Sequence, residues 1–317
     1  LDERVKELLE VVFSSSDAVK KAPKTFDAKT HHEIARKCAE SSIVLLDNDG
    51  ILPLDKNVKI ALIGDFAETP RYQGAGSSQV NPTQIDSLKS ELETMQASIV
   101  GFAKGFSRID PKPQKELIEE AVKVAQKGEV VLLCVGLDEI LESEGMDRLH
   151  MELSEGQQAL IQAVREVNKN IVLVISGGSP FVMPKRETYR AAVNGYLGGQ
   201  AGAGAMAAVL FGKVNPSGRL NETWPLQLED NPSYLYFPSK ERTAEYREGL
   251  YIGYRYYDSV QIPVRYPFGY GLSYTEFAYS DLQADEEKVS FSIKNIGKMD
   301  GAEVVQIYIS CVDGKVF

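Results

Sequence analysis

Five carboxylates fall between positions 138 and 147: Asp138, Glu139, Glu142, Glu144 and Asp147, with one cation, Arg148, directly after them. Carboxyl groups this close resist ionising together, so at least one is expected to hold its proton to higher pH. A carboxylic acid still protonated near neutrality is what a glycosidic oxygen needs from a general acid. The same charge pattern also fits a solvated acidic loop. A second segment, Tyr72-Gln73-Gly74-Ala75-Gly76-Ser77-Ser78-Gln79-Val80, carries little side chain and would let backbone approach a polar ligand, or simply turn.

The glycines of that second segment invite a nucleotide reading, and the spacing argues against it. A dinucleotide fingerprint needs a further glycine at position 79, which is Gln79, and Pro82 follows closely. The tract Gly198-Gly199-Gln200-Ala201-Gly202-Ala203-Gly204-Ala205 reads instead as the start of a helix whose backbone packs close to a sheet. With only His31, His32 and His150, a histidine metal site or a serine–histidine–aspartate triad is hard to build. Cys38, Cys134 and Cys311 lie far apart, form no zinc spacing or disulfide framework, and read as small buried hydrophobes. Unpaired thiols lean towards the cytoplasm; location is otherwise open.

The elements that must position these loops follow from periodicity. Apolar residues recur at helical spacing over 2–12 and 32–44, with a polar linker over 13–30 between them. A turn at 48–50 precedes strands predicted at 58–64, 98–102, 130–135, 171–175 and 191–196, alternating with helices near 84–92, 114–126, 155–167 and 201–211. Residues 131–135 and 171–175 are continuously apolar, as in strands covered on both faces. The fold class is therefore α/β: a mostly parallel sheet between helices, with both candidate loops at the carboxyl ends of strands, on one sheet edge, Ser77 and Glu144 facing outward. Residues 226–275 read as a long loop rich in Tyr, Pro and Gly. From 277 the pattern is β only, with strands near 288–294 and 303–309 and a turn at 295–297, the opening of an immunoglobulin-like segment. With 317 residues, 43% of them hydrophobic, the chain can bury a substantial core. Its net charge of −10 disfavours nucleic acid as a partner, and no run suits a membrane span.

The motifs, taken in order, resemble glycoside hydrolase family 3 of the β-glucosidase type. The residues that carry the resemblance are Val44-Leu45-Leu46-Asp47-Asn48 with Leu52-Pro53-Leu54; Gly74-Ala75-Gly76-Ser77-Ser78-Gln79-Val80-Asn81-Pro82; and Glu142-Ser143-Glu144-Gly145-Met146-Asp147-Arg148. Asn215-Pro216-Ser217-Gly218-Arg219-Leu220, Trp224-Pro225, Tyr246-Arg247-Glu248-Gly249 and Pro267-Phe268-Gly269-Tyr270-Gly271-Leu272-Ser273-Tyr274 continue the series.

The resemblance implies a layout. Residues 1–30 would be the last helix of a preceding barrel and its linker, 31–225 the family's C-terminal α/β sandwich, 226–275 a connecting loop, and 276–317 a truncated fibronectin-III-like domain. It implies a retaining exo-β-glycosidase acting on β-glucosides or oligosaccharides without metal or organic cofactor. Its nucleophilic aspartate would lie in the N-terminal barrel of the parent protein, so the isolated piece would be inactive or would serve only to bind sugar or a partner domain. Glu144 matches the acid/base, Glu142 is the alternative, and Ser77 matches a serine that reaches the sugar in some relatives. Met146 stands where many relatives carry an aromatic residue. Asp147 and Arg148 would brace the loop.

Overall fold

The computed structural model describes residues 1–22, 25–239 and 242–309. Its centre is built by the two apolar runs. β4 (Val130–Gly136) is buried at every position, and β5 (Ile171–Ser176), parallel to it, at all but the last. β2 (Ile60–Ile63), β3 (Ile99–Ala103) and β6 (Ala191–Asn194) extend the parallel array, and β1 (Val44–Asn48) closes one edge antiparallel to β6. The order across the sheet is β1-β6-β5-β4-β2-β3. The chain thus steps outward from β2 to β3, crosses back to β4, and continues outward through β5 and β6.

These steps in opposite directions place the crossover helices on opposite faces, because parallel crossovers keep one hand. α4 (Lys115–Ala125) packs against α5 (Glu155–Val167); α2 (Ala28–Ser42) and α3 (Leu88–Thr94) pack against α6 (Gly202–Leu210). The glycine-rich tract does bring a helix backbone close to a neighbour. That neighbour includes a helix rather than the sheet alone: Arg36 of α2 donates from Nη2 to the Gly204 carbonyl at 2.9 Å.

Several expected boundaries move for identifiable reasons. α1 (Asp2–Lys21) does not end at 12: no breaker occurs until Pro23, and Asp17 and Lys20 pair at 3.2 Å across one turn of the stretch read as linker. β1 was read as the end of a helix, because Val44 continues the apolar spacing of α2; the helix stops at Ser42 and Ile43 is already extended. Ile34, one of the apolar residues at helical spacing in 32–44, is exposed. α3 starts at 88 rather than 84, since Ser87 and Ser90 form a reciprocal cap. Of the cysteines, Cys134 is buried and its thiol is pushed up to about 12 by desolvation, Cys38 is exposed, and Cys311 lies outside the described residues.

The segment 226–275 is not one loop. It contains α7 (Tyr254–Val260) and β8 (Val264–Tyr266), which pairs with β7 (Trp224–Pro225). Fully buried Trp224 sits between Phe181 and Tyr266, with ring centroids at 5.4 and 5.9 Å. Asp47 of β1 pins the returning chain: its carboxylate accepts from Tyr189 at 2.8 Å and Tyr266 at 2.5 Å, and pairs with Arg186 and Arg265 at 3.3 Å each. β9 (Phe277–Ala284) and β10 (Val289–Asn295) pair antiparallel, so the hairpin lies before the expected turn at 295–297 and not across it. Residues 303–309 carry no strand. They are held by side chains instead, Glu303 by Arg219 at 2.7 Å and Gln306 on the Gly269 carbonyl at 3.1 Å.

The end of β2 is pressed against β4. Gly64 has φ +112, and a Cβ there would stand 2.1 Å from the Cys134 carbonyl oxygen. Gly64→Ala therefore combines a left-handed backbone penalty with a backbone clash, and is expected to cost about 3 kcal/mol or more in urea unfolding.

Candidate active site

In an open parallel sheet a crevice forms where neighbouring strands send their connections in opposite directions. Here that place is between β2 and β4, and the two loops singled out from the sequence are the ones that follow these strands. They meet. Ala75 and Ser143 form a parallel bridge, and Glu144 N–H reaches the Ala75 carbonyl at 3.4 Å. One carboxylate oxygen of Glu144, Oε2, accepts both from Ser77 N–H, at 3.0 Å, and from the Ser77 hydroxyl. The approach depends on Gly76, which has φ +102; a Cβ there would lie 2.9 Å from Glu144 Cβ. Both Ser77 and Glu144 face solvent.

Three of the loop's other carboxylates are occupied, whereas Asp147, expected to brace the loop, is exposed. Glu142 accepts from Gly178 N–H at 2.7 Å and the Ser179 hydroxyl at 2.5 Å, and lies 3.6 Å from Arg71. Asp138 is buried and caps its own turn, accepting from Ile140 and Leu141 N–H at 3.0 and 2.8 Å. Glu139 pairs with Arg108 at 3.2 Å, and Arg108 also pairs with Asp65 at 2.6 Å. The side chain of Arg71, 1% exposed, donates from Nη2 to the Glu142 carbonyl at 3.0 Å. Arg148 braces the loop as expected, donating to the Pro180 carbonyl at 2.9 Å, and Met146 projects into solvent.

This arrangement corrects the electrostatic expectation. Glu144 is held below the ordinary carboxylate range, by the Ser77 hydroxyl first and its N–H second, with slight opposition from desolvation. Crowding in sequence was dispersed in space by Arg71 of the partner loop, by Arg108 from the loop after β3 and by turn amides. Arg71 and Arg108 were missed in the sequence; the only signal was that Arg71 directly precedes Tyr72 and its glycine segment. The raised carboxyl belongs to Glu222, also missed. Burial, then the Glu142 carboxylate, raise it to about 7, partly offset by Arg148.

Residues 43–274 match the model of the glycosyl hydrolase family 3 C-terminal domain. The chain belongs to glycoside hydrolase family 3. Among its family 3 relatives, thermostable beta-glucosidase B of Acetivibrio thermocellus is 45% identical over 100% of this chain and 43% of its own length. An exo-alpha-(1->6)-L-arabinopyranosidase of Bifidobacterium longum is 40% identical over 99% of this chain and 43% of its own. The crystal structure of a Bifidobacterium adolescentis family 3 beta-glucosidase superposes with a TM-score of 0.87 at 40% identity, covering 91% of this chain and 44% of that one. The chain thus spans less than half the length of these family 3 proteins.

Two measurements test the electrostatics. Ser77→Ala removes the larger of the two bonds to Oε2, and Gly76→Ala pushes Glu144 away; in both, the Glu144 carboxyl followed by NMR should titrate higher, towards the ordinary glutamate value. An unchanged titration in both variants would mean that the Ser77 contact does not set the charge of Glu144. Glu222 has its folded value raised, so its contribution to stability is complete below the unfolded value of 4.5 and is lost as pH rises through about 7. Glu222→Gln should therefore stabilise the chain at pH 8 relative to pH 5, by about 1 kcal/mol once solvent screening is allowed for, or about 2–4 °C in Tm.

Proposed function

We propose that this chain is the acid/base-bearing part of a retaining exo-β-glycosidase, with a terminal β-linked glucose as substrate residue and Glu144 as the proton carrier. In this reading residues 1–30, 31–225, 226–275 and 276–317 are the end of a barrel with its linker, the sandwich, the connection and a partial fibronectin-III-like domain. The nucleophilic aspartate belongs to the barrel of the parent protein. The observation that carries the reading is the meeting of Ser77 and Glu144 across the crevice between β2 and β4.

The same geometry favours Glu144 over Glu142. A proton carrier must exchange its proton with a substrate oxygen and then with water, which requires a carboxyl open to both. Glu144 offers one oxygen to Ser77 and faces solvent, whereas both oxygens of Glu142 accept short hydrogen bonds from the 178–179 loop. In the first half of the reaction the Glu144 proton moves to the departing oxygen as the aspartate bonds to the anomeric carbon. In the second, ionised Glu144 takes a proton from water, which displaces the aspartate. The Ser77 bonds favour the ionised form needed for the second half. Cover by the barrel and the sugar would remove water from Glu144 and favour the protonated form needed for the first. Ser77, released from Glu144, would turn its hydroxyl to the sugar.

The chain alone should hydrolyse neither an aryl β-glucoside nor an aryl α-L-arabinopyranoside, since one carboxylate cannot run a double displacement. In the parent, Glu144→Gln should lower turnover of a natural β-disaccharide roughly a hundred-fold to ten-thousand-fold. Glycosylation by an activated nitrophenyl β-glucoside should survive, and azide should restore its turnover and yield a β-glycosyl azide. Glu142→Gln should show neither leaving-group dependence nor rescue. Azide rescue of the Glu142 variant in place of the Glu144 variant would move the acid/base by two positions, and rescue of neither would remove it from this loop. A preference for the arabinopyranoside by the wild-type parent would overturn the choice of glucose.

A further inference from the structure

The segment 74–78 carries almost no side chain, and residues 76–80 are exposed. A loop of this composition has no apolar cluster of its own, and ordering its backbone costs entropy. Yet Ser77 is held against Glu144. The Ala75–Ser143 bridge fastens the loop near its tip. A second fastening lies at its base.

Half-buried Gln73 closes the loop onto Val80, seven positions on. Its Oε1 accepts from Val80 N–H at 3.0 Å, and its Nε2 donates to the Val80 carbonyl at 3.1 Å. One side-chain amide thus pairs with the donor and the acceptor of a single residue, as a neighbouring strand would. The two backbone groups also fix which way round the amide sits, because the N–H needs the oxygen and the carbonyl needs the nitrogen. Nε2 donates in addition to the Tyr72 hydroxyl at 2.7 Å, so both amide hydrogens are used. The Tyr72 carbonyl accepts from Gly199 N–H at 2.9 Å, which anchors the base of the loop to the turn after β6. Apart from Glu144 itself, Gln73 is the side chain, among the described residues, that bonds to the backbone of 74–80.

We propose that Gln73 is a positioning residue, whose side-chain amide closes the loop 73–80 and so keeps Ser77 on Glu144. Its effect on turnover rests on the acid/base reading, but the clasp itself does not require catalysis. Without it, the entropy of ordering the loop falls on the Ala75–Ser143 bridge and the Ser77 contact alone. Ser77 then spends time away from Glu144, and the ionised carboxylate loses the bonds that favour it.

The test is an NMR titration of Glu144 in the 317-residue chain, labelled with carbon-13 at the glutamate carboxyls, with Glu144→Gln to assign the signal. Gln73→Met keeps the length of the side chain and removes its three hydrogen bonds. In this variant the Glu144 carboxyl should titrate higher, by at least half the shift that Ser77→Ala produces, with circular dichroism unchanged. In the Ser77→Ala background the same substitution should move it less, since only the contact with the residue 77 N–H is left to lose. A lower Tm with Glu144 titrating as in the wild type would make Gln73 a stabilising contact alone and overturn the proposal. An equal shift with and without the Ser77 hydroxyl would also overturn it. Amide exchange in the wild-type chain decides without any variant: Val80 N–H should be protected, and exchange at the rate of an unfolded peptide would show that the clasp does not form. In the parent, Gln73→Met should move the alkaline limb of kcat/KM to higher pH, because the departing oxygen needs the protonated acid. A limb that stays in place while Glu144 of the chain shifts would sink the acid/base reading and leave the clasp. An active parent whose chain shows no shift at Glu144 would sink the clasp alone.

Discussion

The structure depends on one reversal in strand order. Because the chain leaves β2 towards β3 and leaves β4 towards β5, no crossover runs over the carboxyl ends of β2 and β4, and both following loops must emerge there. The strands are close enough at that point for Gly64 to lie against the Cys134 carbonyl, where a side chain would collide. Two loops that begin this close can pair through backbone, as Ala75 and Ser143 do, and the pairing delivers Ser77 to Glu144. Position is set by backbone geometry first, and the side-chain contact follows from it.

Charge is then distributed so that Glu144 is left without a cationic partner. Arg71 and Arg108, carried by the loops after β2 and β3, take up Glu139 and the Glu142 end of the acidic loop, while Asp138 caps the turn from within. Removing Arg71 would strand partly buried carboxylates, the costly way to break a buried ion pair. A second polar hub lies at the β1–β6 edge of the sheet. Asp47, Tyr189, Tyr266, Arg186 and Arg265 tie β1 to the returning chain, and with Trp224 they fix where the segment 224–238 departs. Such a network is specific because each member satisfies another; a partial set would be worse than an apolar replacement.

The family 3 relatives that this chain matches are more than twice its length, which bears on how its site is to be understood. Glu144 and Ser77 stand on an exposed edge, where water screens them and hydrogen bonding to the ionised form dominates. A proton donor in the same place needs cover that raises its affinity for the proton. The low value at Glu144 and the raised value at Glu222 are two outcomes of one rule: the first carboxyl is hydrated and hydrogen bonded, the second is buried beside another negative charge.

Much of this was legible in residue order. The continuous apolar runs of β4 and β5 could only be strands covered on both sides, and α5 is bounded as its spacing requires, with Ser154 capping it. Glu144 and Ser77 were identified from motif order, and the sheet edge they share from the rule that ligands collect at carboxyl ends. The rest required the folded chain. β1 was hidden because a short apolar run after a helix has the same periodicity as the helix, and only pairing with β6 distinguishes them. The ionisation of the acidic loop was misread because sequence lists charges without their partners. Asp138 looked crowded by Glu139 and Glu142, yet its neighbours in space are amides, and theirs are Arg71 and Arg108 from loops tens of residues upstream. Glu222, unremarkable between Asn221 and Thr223, becomes unusual only when β7 carries it under cover beside Glu142. Local periodicity is a property of neighbours along the chain, and desolvation and Coulomb energy are properties of neighbours in space.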